Sequence, residues 1–429
     1  MKLLLKGSRV IDPSQKIDGP MDILIDDGKI KSCAPAVKAG TDAKVIDLAG
    51  MTLTPGLIDM HVHLREPGME YKETIATGAA AAVAGGFTTI ACMPNTEPVN
   101  DNRSVTEFIR RKAAEAGLAN VFPIGAISVD SEGRQLTEFW DLKDAGAIAL
   151  SDDGKPVMDA ALMRRALEYA HSLDLPVIQH CEDKTLSAGG LMNEGYYSTV
   201  LGLPGIPAIA EEVMIARDIL IAEYSRTRVH IAHVSTAGAV RLIRDAKARG
   251  LKVTAETAPH YFTLTDESLQ GYDTHYKVNP PLRSAQDVAA VKEGLADGTL
   301  DAIACDHAPH GRTDKEVEFE YAANGISGLE TSLGLSISLV LEGILTWPEL
   351  VTKMSVNPAH ILNLAKGTLA PGSDADITVI NPDLPWIVDL QTFRSRGKNS
   401  PFHGRRLRGR AVLTIVGGDI KYDGSSSAS

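Results

Sequence analysis

The sequence predicts an α/β fold: a TIM-like (β/α)8 barrel with a small β-sandwich domain formed by both termini. Eight short apolar segments of β character follow one another along the middle of the chain, and helical patterns separate most of them. This alternation predicts a parallel sheet, and eight units fit a closed barrel better than an open sheet. The patterns GxxxxGK[ST] and GxGxxG are absent from the sequence, so an open nucleotide-binding sheet lacks its usual signals.

Both ends of the chain have the pattern of short β-strands separated by turns. Residues 1–54 contain KLLLKGSRVID, MDILIDDGKIKSCA and AKVIDLAGMTLTPG, and the Asp-Gly in IDDGKI is a hairpin signal. Residues 365–429 return to this pattern in GSDADITVINPD and GRAVLTIVGGDIKYDG. We therefore expect 1–54 and 365–429 to form one small domain around a barrel of residues 55–364. The final DGSSSAS is expected to be disordered.

The elements of the predicted barrel follow in order along the chain. The strand candidates are GLIDMHVH, FTTIACMPN, VFPIGAISV, AIALSDD, PVIQHCE, RVHIAHVS, KVTAETAPH and DAIACDHAPH. Helical periodicity occurs in KETIATGAAAAVAG, RSVTEFIRRKAAEAG, DAALMRRALEYAHSL, IAEEVMIARDILIAEY, AGAVRLIRDAKARG and SAQDVAAVKEGLADG. The polar segment HGRTDKEVEFEYAANG after the eighth strand lacks clear periodicity, and we expect it to be a mobile loop.

Composition excludes several classes of function. The net charge of -12 argues against a nucleic-acid partner, because a phosphate backbone requires a basic face. Charged or polar residues interrupt every apolar run, so no membrane span is expected, and the three leucines of MKLLLKG are too few for a signal peptide. The four cysteines are far apart and form no CxxC pair, which predicts a reducing, cytoplasmic environment.

Polar residues gather at the predicted carboxyl ends of the strands. In a barrel these ends converge on the face that carries the active site. Because side chains alternate along a strand, His61 and His63 share the inward face while Val62 points outward. The same alternation directs Cys181 and Cys305 outward. The polar residues at these ends are His61, His63, Asn95, Asp152, Asp153, His180, His233 and Asp306.

Their joint placement predicts a metal site. A single histidine at a strand end is more often a satisfied polar residue than a ligand, but such placement at several matching ends favours a metal. Imidazole and carboxylate without thiolate suit Zn²⁺ or a similar divalent ion. The candidates are too many for one tetrahedral catalytic zinc, so two metals, or one metal with Asp306 as a base, are both open. Water bound to such a metal can have a pKa near 7, which suggests hydrolysis of an unactivated carbonyl.

Nine motifs in order resemble those of a dihydroorotase of the amidohydrolase superfamily. They read IDMHVHLREPG, ACMPNT, SDDG, QHCED, HIAHVST, AETAPHY, KVNPPLR, IACDHAPH and GLET, and the match runs from about residue 50 to 370. A lone HxH would be weak evidence, whereas nine motifs in the right order are specific. The resemblance implies zinc-dependent, reversible cyclisation of N-carbamoyl-L-aspartate to L-dihydroorotate in de novo pyrimidine (UMP) biosynthesis.

The resemblance also implies roles for the candidate ligands. Many superfamily members carry a carbamylated lysine at the end of the fourth strand, and SDDG resembles the longer bacterial dihydroorotases in which an aspartate replaces it. We assign this role to Asp153 over Asp152. Lys155 is near, but it lies past the glycine, in the expected loop. Asp306 would carry a proton from hydroxide supplied at the metals to the leaving amide nitrogen. The implied ligands are His61, His63 and Asp306 for one ion, and Asp153, His180 and His233 for a second.

Arg65 continues the inward face two residues beyond His63 and could hold a substrate carboxylate in a bidentate fork. The alternative is a surface salt bridge with Glu66 or Glu70. Before GLET, many relatives carry Pro-Phe-Gly, whereas here Asn324 replaces the aromatic residue, so aromatic packing over the substrate ring is not expected. The contacts implied by the resemblance are Asn95 and His310 to the carboxylate, Asn279 to the ring amide, and the backbone of Asn324 and Gly325.

Other functions stay open. The chain could instead be another cyclic amide hydrolase, since hydantoinases, dihydropyrimidinases and allantoinases share the barrel and the two histidines. A non-catalytic dihydroorotase-like partner of aspartate transcarbamoylase is less favoured, because every candidate ligand is present. We expect a small-molecule substrate, one or two Zn²⁺ per subunit and a homo-oligomer. Association with aspartate transcarbamoylase is compatible with an active enzyme.

Overall fold

The computed structural model describes residues 2–38 and 40–424. The expected disorder of the tail concerns mainly residues 425–429, which lie outside this part. The strands are β1 (Leu3–Asp12), β2 (Ile17–Asp26), β3 (Lys29–Ala34), β4 (Lys44–Asp47), β5 (Thr52–Pro55), β6 (Leu57–Val62), β7 (Phe87–Cys92), β8 (Asn120–Pro123), β9 (Ile178–Gln179), β10 (Met192–Asn193), β11 (Gly205–Ile206), β12 (Val229–Ile231), β13 (Val253–Thr257), β14 (Ala302–Ile303), β15 (Ile377–Ile387), β16 (Arg406–Val416) and β17 (Asp419–Asp423).

The helices lie mainly between the strands of the middle region. They are α1 (Ile75–Gly85), α2 (Arg103–Ala116), α3 (Phe139–Ala145), α4 (Ala160–Ser172), α5 (Tyr196–Leu201), α6 (Ile209–Ser225), α7 (Ala237–Ala248), α8 (Ala285–Ala296), α9 (Arg312–Lys315), α10 (Leu329–Leu341), α11 (Trp347–Val351) and α12 (Asn357–Ile361). None of those in the described part of the chain combines the length and the apolar character needed to cross a membrane.

The middle of the chain closes into the predicted barrel. Strands β6, β7 and β8 pair in parallel, and β9, β12, β13 and β14 form a second parallel run. Leu150 bridges the two runs by pairing with Gly125 and Val177, and Val62 pairs with His307 to close the circle. The fold class predicted from strand–helix alternation is therefore confirmed.

Several elements differ from the sequence prediction, among them the fourth strand, α3 and α10. The fourth strand, expected in AIALSDD, is reduced to the isolated bridge at Leu150. Helix α3 was not predicted because its seven residues are too few to display a helical period. Helix α10 was missed because it is buried on nearly all sides, between α1 and β16, and so lacks the polar face that marks a surface helix.

The barrel strands pack between two apolar layers, one against the helices and one inside the barrel. Val62, Cys181 and Cys305 lie in the cluster between strands and helices, as expected from alternation. Met60 belongs to the cluster inside the barrel. The stretch of β6 from Asp59 to Val62 contains one residue more than the stretch of β7 that it pairs with. Such a bulge changes the direction of the side chains that follow it. The first strand can therefore direct His61 and His63 inward.

Both ends of the chain contribute to the small β domain. Its strands follow the order β17-β16-β15-β5-β1-β2-β3, with β4 paired to β1. A Cβ on Gly28, where φ is +73°, would lie 2.8 Å from the carbonyl oxygen of Gly417. The turns at the two ends of this strand order therefore touch, and the sheet curls around its own apolar core. The domain limits at residues 54 and 365 stay predictions.

The segment between β15 and β16 leaves this sheet and lies against the barrel. Ser395 Oγ donates to Glu73 Oε2. Asn399 Nδ2 donates to the carbonyl oxygens of Ala308 and Gly325, at 3.0 Å each. The sequence prediction assigned these residues to the small domain, because the segment has no periodicity of its own and was grouped with the strands around it.

Candidate active site

The six predicted metal ligands lie together at the carboxyl ends of the barrel strands. His61 Nε2 lies 3.4 Å from Asp153 Oδ2 and 3.6 Å from Asp306 Oδ1. His63 Nε2 lies 3.0 Å from the same Asp306 oxygen. On the other side, His180 Nδ1 lies 2.9 Å from His233 Nε2. Two triads have geometry able to hold an ion: His61, His63 and Asp306, and His61, Asp153 and His233.

Asp153 stands between the two halves of this cluster. Its Oδ2 lies 3.4 Å from Nε2 of both His61 and His63. Its Oδ1 lies 3.1 Å from His233 Nε2 and 3.4 Å from His180 Nδ1. Each carboxylate oxygen therefore faces a different pair of imidazoles, so Asp153 links the two halves of the cluster.

Asp152, the competing residue in SDDG, is engaged elsewhere. Its Oδ1 accepts from the Ser128 backbone N–H at 3.0 Å, and its Oδ2 accepts from Ser128 Oγ. Burial raises the pKa of Asp152. Burial opposes the charged form of Asp153 as well, but the imidazoles around it lower its pKa well below the ordinary value. The geometry thus favours Asp153 as the ligand and gives Asp152 a structural contact with the loop at Ser128.

Three of the histidines turn one ring nitrogen toward the centre of the cluster and the other toward an outer partner. His61 Nδ1 donates to Glu256 Oε1 at 2.7 Å, and His63 Nδ1 donates to Asn95 Oδ1 at 2.8 Å. His180 is turned the other way, because its Nε2 donates to Glu182 Oε2 at 3.0 Å. In each ring the other nitrogen faces the cluster, where it could coordinate a metal that displaces its proton.

The electrostatics of the cluster favour a cation. His61 Nε2 is buried and has no hydrogen-bond partner among the described residues. Burial disfavours the charged form of His61, but Asp153 and Glu256 outweigh it and raise its pKa well above the ordinary value. Positive charge is therefore stabilised at this point, and the donor set of imidazoles and carboxylates fits a divalent metal such as Zn²⁺.

Three polar residues of the site have left-handed backbone conformations. The φ angles are +62° at Arg65, +34° at His233 and +46° at Asp306. Residues with a side chain adopt this region at an energetic cost, and such outliers concentrate at functional sites. All three lie two or three residues beyond the end of a barrel strand.

Glu256 was not identified from the sequence. It lies on β13, completely buried, and contacts both His61 and His230. Burial alone would raise its pKa, but these two imidazoles lower it to about 2, so Glu256 is ionised. A signal was present in KVTAETAPH, because a carboxylate inside an apolar strand is costly unless it is paired. Glu182, in QHCED, has the same relation to His180.

We expect Glu256→Gln to weaken metal binding by about 10- to 100-fold, since partners that orient a ligating histidine typically contribute this much. The substitution removes the charge that fixes the His61 ring and keeps the size of the side chain. Metal affinity measured by competition with a chelating dye tests it. Glu330→Gln is the matched control, because Glu330 is also buried but accepts from the backbone N–H groups of Arg394 and Ser395. Equal metal affinity in both variants would contradict the assignment.

A cavity of about 190 Å³ opens beside the cluster, and all six predicted substrate-binding residues line it. Asn279 Nδ2 donates to Glu182 Oε2 at 2.9 Å, which leaves its amide oxygen free to accept from a ring N–H. His61 and His233 are not on the cavity wall and lie deeper in the barrel. The residues on the wall are His63, Arg65, Asn95, Asp153, Gly154, His180, Val278, Asn279, Asp306, Ala308, His310, Asn324 and Gly325.

Arg65 is buried in this cavity rather than on the surface. Its Nε donates to the carbonyl oxygen of Pro309 at 3.2 Å. Among the described residues no carboxylate lies within 4.0 Å of its guanidinium nitrogens, so the alternative salt bridge with Glu66 or Glu70 is wrong. Burial lowers the pKa of Arg65 to about 10, which leaves it charged at neutral pH. A buried, unpaired guanidinium beside the cluster is suited to an anionic substrate group.

The segment expected to be a mobile loop contains α9 and is tied to its surroundings. Lys315 Nζ is buried and donates to the carbonyl oxygens of Lys277, Ala323 and Gly325. Gly325 N–H donates to the carbonyl oxygen of Lys277. The Gly325 backbone is thus committed within the protein, and we expect it to shape the cavity rather than hydrogen-bond the substrate. A Cβ here would lie 2.6 Å from the Ala308 carbonyl oxygen.

His310 supports the same loop. Its Nε2 lies 2.8 Å from the carbonyl oxygen of Asn324, to which it donates. Burial and the neighbouring charge of Arg65 lower its pKa to about 2, so the ring is neutral. The backbone oxygen of Asn324 therefore accepts a hydrogen bond from His310. Asn324 lies at the cavity wall, in the position where the sequence comparison expects an aromatic residue.

The chain is similar to known proteins along nearly its whole length. Residues 50–239 match the family model described as Dihydro-orotase-like, and residues 205–422 match the amidohydrolase family model. The chain is 65% identical over 423 residues to the dihydroorotase of Syntrophus aciditrophicus (strain SB), covering 98% of this chain and 99% of that protein. It is 57% identical over 422 residues to the dihydroorotase of Geotalea daltonii (strain DSM 22248 / JCM 15807 / FRC-32), covering 98% and 99%.

A solved structure shares the fold as well. The L-hydantoinase (dihydropyrimidinase) of Arthrobacter aurescens superposes with a TM-score of 0.88 at 27% identity, covering 98% of this chain and 96% of that one. The hydantoinases are thus relatives, at a much lower identity than the dihydroorotases. From its sequence and its barrel, the chain belongs to the dihydroorotases of the amidohydrolase family, which are metal-dependent cyclic amide hydrolases.

Proposed function

We propose that this chain catalyses the reversible cyclisation of N-carbamoyl-L-aspartate to L-dihydroorotate, in de novo pyrimidine (UMP) biosynthesis. The observation that carries the proposal is Arg65, a buried guanidinium without a carboxylate partner in the described structure, on the same cavity wall as the metal-ligand cluster. Dihydroorotate carries a carboxylate that a plain hydantoin or dihydropyrimidine ring lacks. The cavity therefore offers a charge that these other substrates would leave unpaired.

The cofactor we propose is zinc, with one or two ions per subunit. A zinc ion in the cluster would polarise the substrate carbonyl and lower the pKa of water. In a two-ion site Asp153 would contribute one oxygen to each ion, as its contacts suggest. The remaining protein ligands would be His61, His63 and Asp306 for one ion, and His180 and His233 for the other.

Four residues of the cavity then have a task in the hydrolytic direction. Arg65 and Asn95 hold the carboxylate, and the amide oxygen of Asn279 accepts from the ring N–H. Asp306 takes a proton from the attacking water and gives it to the ring nitrogen as the carbon–nitrogen bond breaks. In the cyclisation direction Asp306 receives the proton of the attacking amide nitrogen and gives it to the carboxyl oxygen that leaves as water when its bond to carbon breaks.

Arg65→Met should raise the KM for L-dihydroorotate by roughly 30-fold, because a charge-assisted pair of about 2 kcal/mol is lost. The metal content should stay unchanged, since Arg65 contacts no candidate ligand side chain directly. Steady-state kinetics with zinc quantification measure both quantities. Arg65→Lys keeps the charge without the planar fork and should give an intermediate KM. A loss of metal in Arg65→Met would point instead to a structural role.

The reaction is tested with L-dihydroorotate, dihydrouracil and allantoin in parallel. We expect hydrolysis of dihydroorotate, its loss on chelation and its return with added zinc. Preferred turnover of dihydrouracil or allantoin would replace this proposal by a hydantoinase, dihydropyrimidinase or allantoinase. Metal binding without turnover of any of the three would favour a non-catalytic partner of aspartate transcarbamoylase.

We further propose a cytoplasmic location and a homo-oligomeric state, with aspartate transcarbamoylase as a candidate partner. All four cysteines are free, and free thiols persist in a reducing compartment. Co-purification of the two enzymes from the native cell would test the partnership independently of the activity.

A further inference from the structure

Glu182 is a buried carboxylate that three side chains contact through the same oxygen atom. His180 Nε2 donates to Glu182 Oε2 at 3.0 Å, and Asn279 Nδ2 donates to the same atom at 2.9 Å. The third donor is Lys184 Nζ, at 2.5 Å. His180 and Asn279 lie on the cavity wall, whereas the side chain of Lys184 is 47% exposed and is not part of that wall. One oxygen thus joins a predicted metal ligand, a predicted substrate contact and a residue in contact with water.

The contact with Glu182 fixes the ring of His180. An ionised carboxylate only accepts hydrogen bonds, so the ring carries a proton on Nε2. Nδ1 is thereby turned to the cluster, 2.9 Å from His233 Nε2 and 3.4 Å from Asp153 Oδ1. A carboxylate that holds a metal-ligating histidine in this way orients the ring and raises its basicity. Glu182 is therefore placed to strengthen metal binding on the His180 side of the cluster.

The contact with Glu182 also decides which end of the Asn279 amide is offered to the cavity. Because the carboxylate accepts, Asn279 turns its NH₂ group to Glu182, and the amide oxygen is left for the cavity. Without the carboxylate, the amide could turn over and present its NH₂ group instead. An amide oxygen accepts from a ring N–H, whereas two donors that face each other leave both unpaired. The orientation thus determines whether the cavity can bind a ring N–H.

The backbone on both sides of Asn279 is held by other residues. Lys277 Nζ donates to two carbonyl oxygens of the segment that contains α9. On the other side, the Tyr261 hydroxyl donates to the carbonyl oxygen of Pro280 at 2.6 Å. The main chain at Asn279 is therefore anchored without Glu182. What Glu182 adds is the orientation of the side-chain amide, which is a matter of substrate recognition rather than of folding.

We propose that Glu182 is a positioning residue that couples the metal site to substrate recognition, by holding His180 and Asn279 with one oxygen. When a metal fixes the ring of His180, it also fixes the place of the carboxylate that orients Asn279. The two sites then share a coupling free energy, and each ligand favours the binding of the other. The contact with Asn279 rests on the proposed function, whereas the contact with His180 concerns metal binding alone.

Glu182→Gln of the full chain tests the coupling, because it removes the charge and keeps the size of the side chain. We expect zinc to bind about 10- to 100-fold more weakly, measured by competition with a chelating dye. At saturating zinc the KM for L-dihydroorotate should rise roughly 5-fold, since the new amide no longer fixes Asn279. Lys184→Met is the matched control: it removes the half-exposed donor to the same oxygen and should change both quantities by less than about 2-fold. Circular dichroism verifies that both variants fold.

A double-mutant cycle with Asn279→Ala separates the two contacts of Glu182. In the Asn279→Ala background, Glu182→Gln should raise KM no further but should weaken zinc binding as it does alone. Additive increases in KM would overturn the contact with Asn279, and wild-type zinc affinity in Glu182→Gln would overturn the contact with His180.

Equal losses in Lys184→Met and Glu182→Gln would reduce Glu182 to an anchor of its loop and overturn the proposal. A wild-type chain that binds zinc but hydrolyses no dihydroorotate would refute the proposed function, and the role of Asn279 with it. The zinc titrations would still decide whether Glu182 positions His180.

Discussion

Asp153→Asn should lower turnover by ~10³-fold or more and remove at least one equivalent of bound metal. The reason is the double contact of the carboxylate, whose two oxygens face different imidazole pairs at 3.1–3.4 Å. An asparagine keeps the shape but replaces one oxygen by an N–H donor. The N–H donor would repel a metal ion on its side of the carboxylate. The loss of the negative charge would weaken metal binding on both sides. Zinc quantification beside the dihydroorotase assay measures the two effects together.

Asp152→Asn is the control for this experiment. It lies next in sequence and is equally buried, but its oxygens accept from Ser128. We expect this variant to be less stable to heat, because the buried Ser128 hydroxyl and the substituted side chain lose a charge-assisted contact. Its metal content per folded chain should stay at the wild-type level. If Asp152→Asn loses metal and Asp153→Asn retains it, the assignment of the two aspartates is reversed.

The barrel was predictable because its signal is distributed along the chain. Apolar segments with alternating helices specify a closed parallel sheet even when one strand is poorly formed, as at Leu150. The path of residues 388–405 was not predictable in this way. Its contacts with the barrel depend on single polar side chains such as Ser395 and Asn399, which have many possible partners in a sequence.

The metal ligands could be predicted from the sequence more readily than the residues that hold them in place. The cluster residues follow the strands, so the strand order brings His61, His63 and Asp306 to one end of the barrel, where the bulge in β6 and the left-handed backbone at Asp306 help to place their side chains. Their outer partners follow no such rule. Glu256 reaches His61 from β13, which is separated from the first strand by β14, and Asn95 reaches His63 from the turn after β7. For Glu256 the available signal in the sequence was a charged residue inside an apolar strand. Asn95 was predicted as a substrate contact, and its hydrogen bond with His63 gives it a second role in positioning that histidine.

Asp306→Asn should remove turnover, by ~10³-fold or more, while leaving dihydroorotate binding partly intact. Asp306 is the carboxylate on the cavity wall whose Oδ1 lies 3.0 Å from His63 Nε2. Burial disfavours its charge, but the imidazoles of His63 and His61 outweigh this and lower its pKa well below the ordinary value. It is therefore ionised and able to accept a proton at neutral pH. The binding groups Arg65, Asn95 and Asn279 are untouched by the substitution.

The metal content of Asp306→Asn separates the two roles assigned to this residue. If proton transfer is its main contribution, the variant keeps its zinc, binds dihydroorotate in calorimetry and turns over no substrate. If ligation dominates, zinc and activity are lost in proportion, and added zinc restores part of both. Wild-type turnover in a variant that retains its metal would contradict both roles, because no other carboxylate of the described cavity wall is free: Asp153 is held among four imidazole nitrogens.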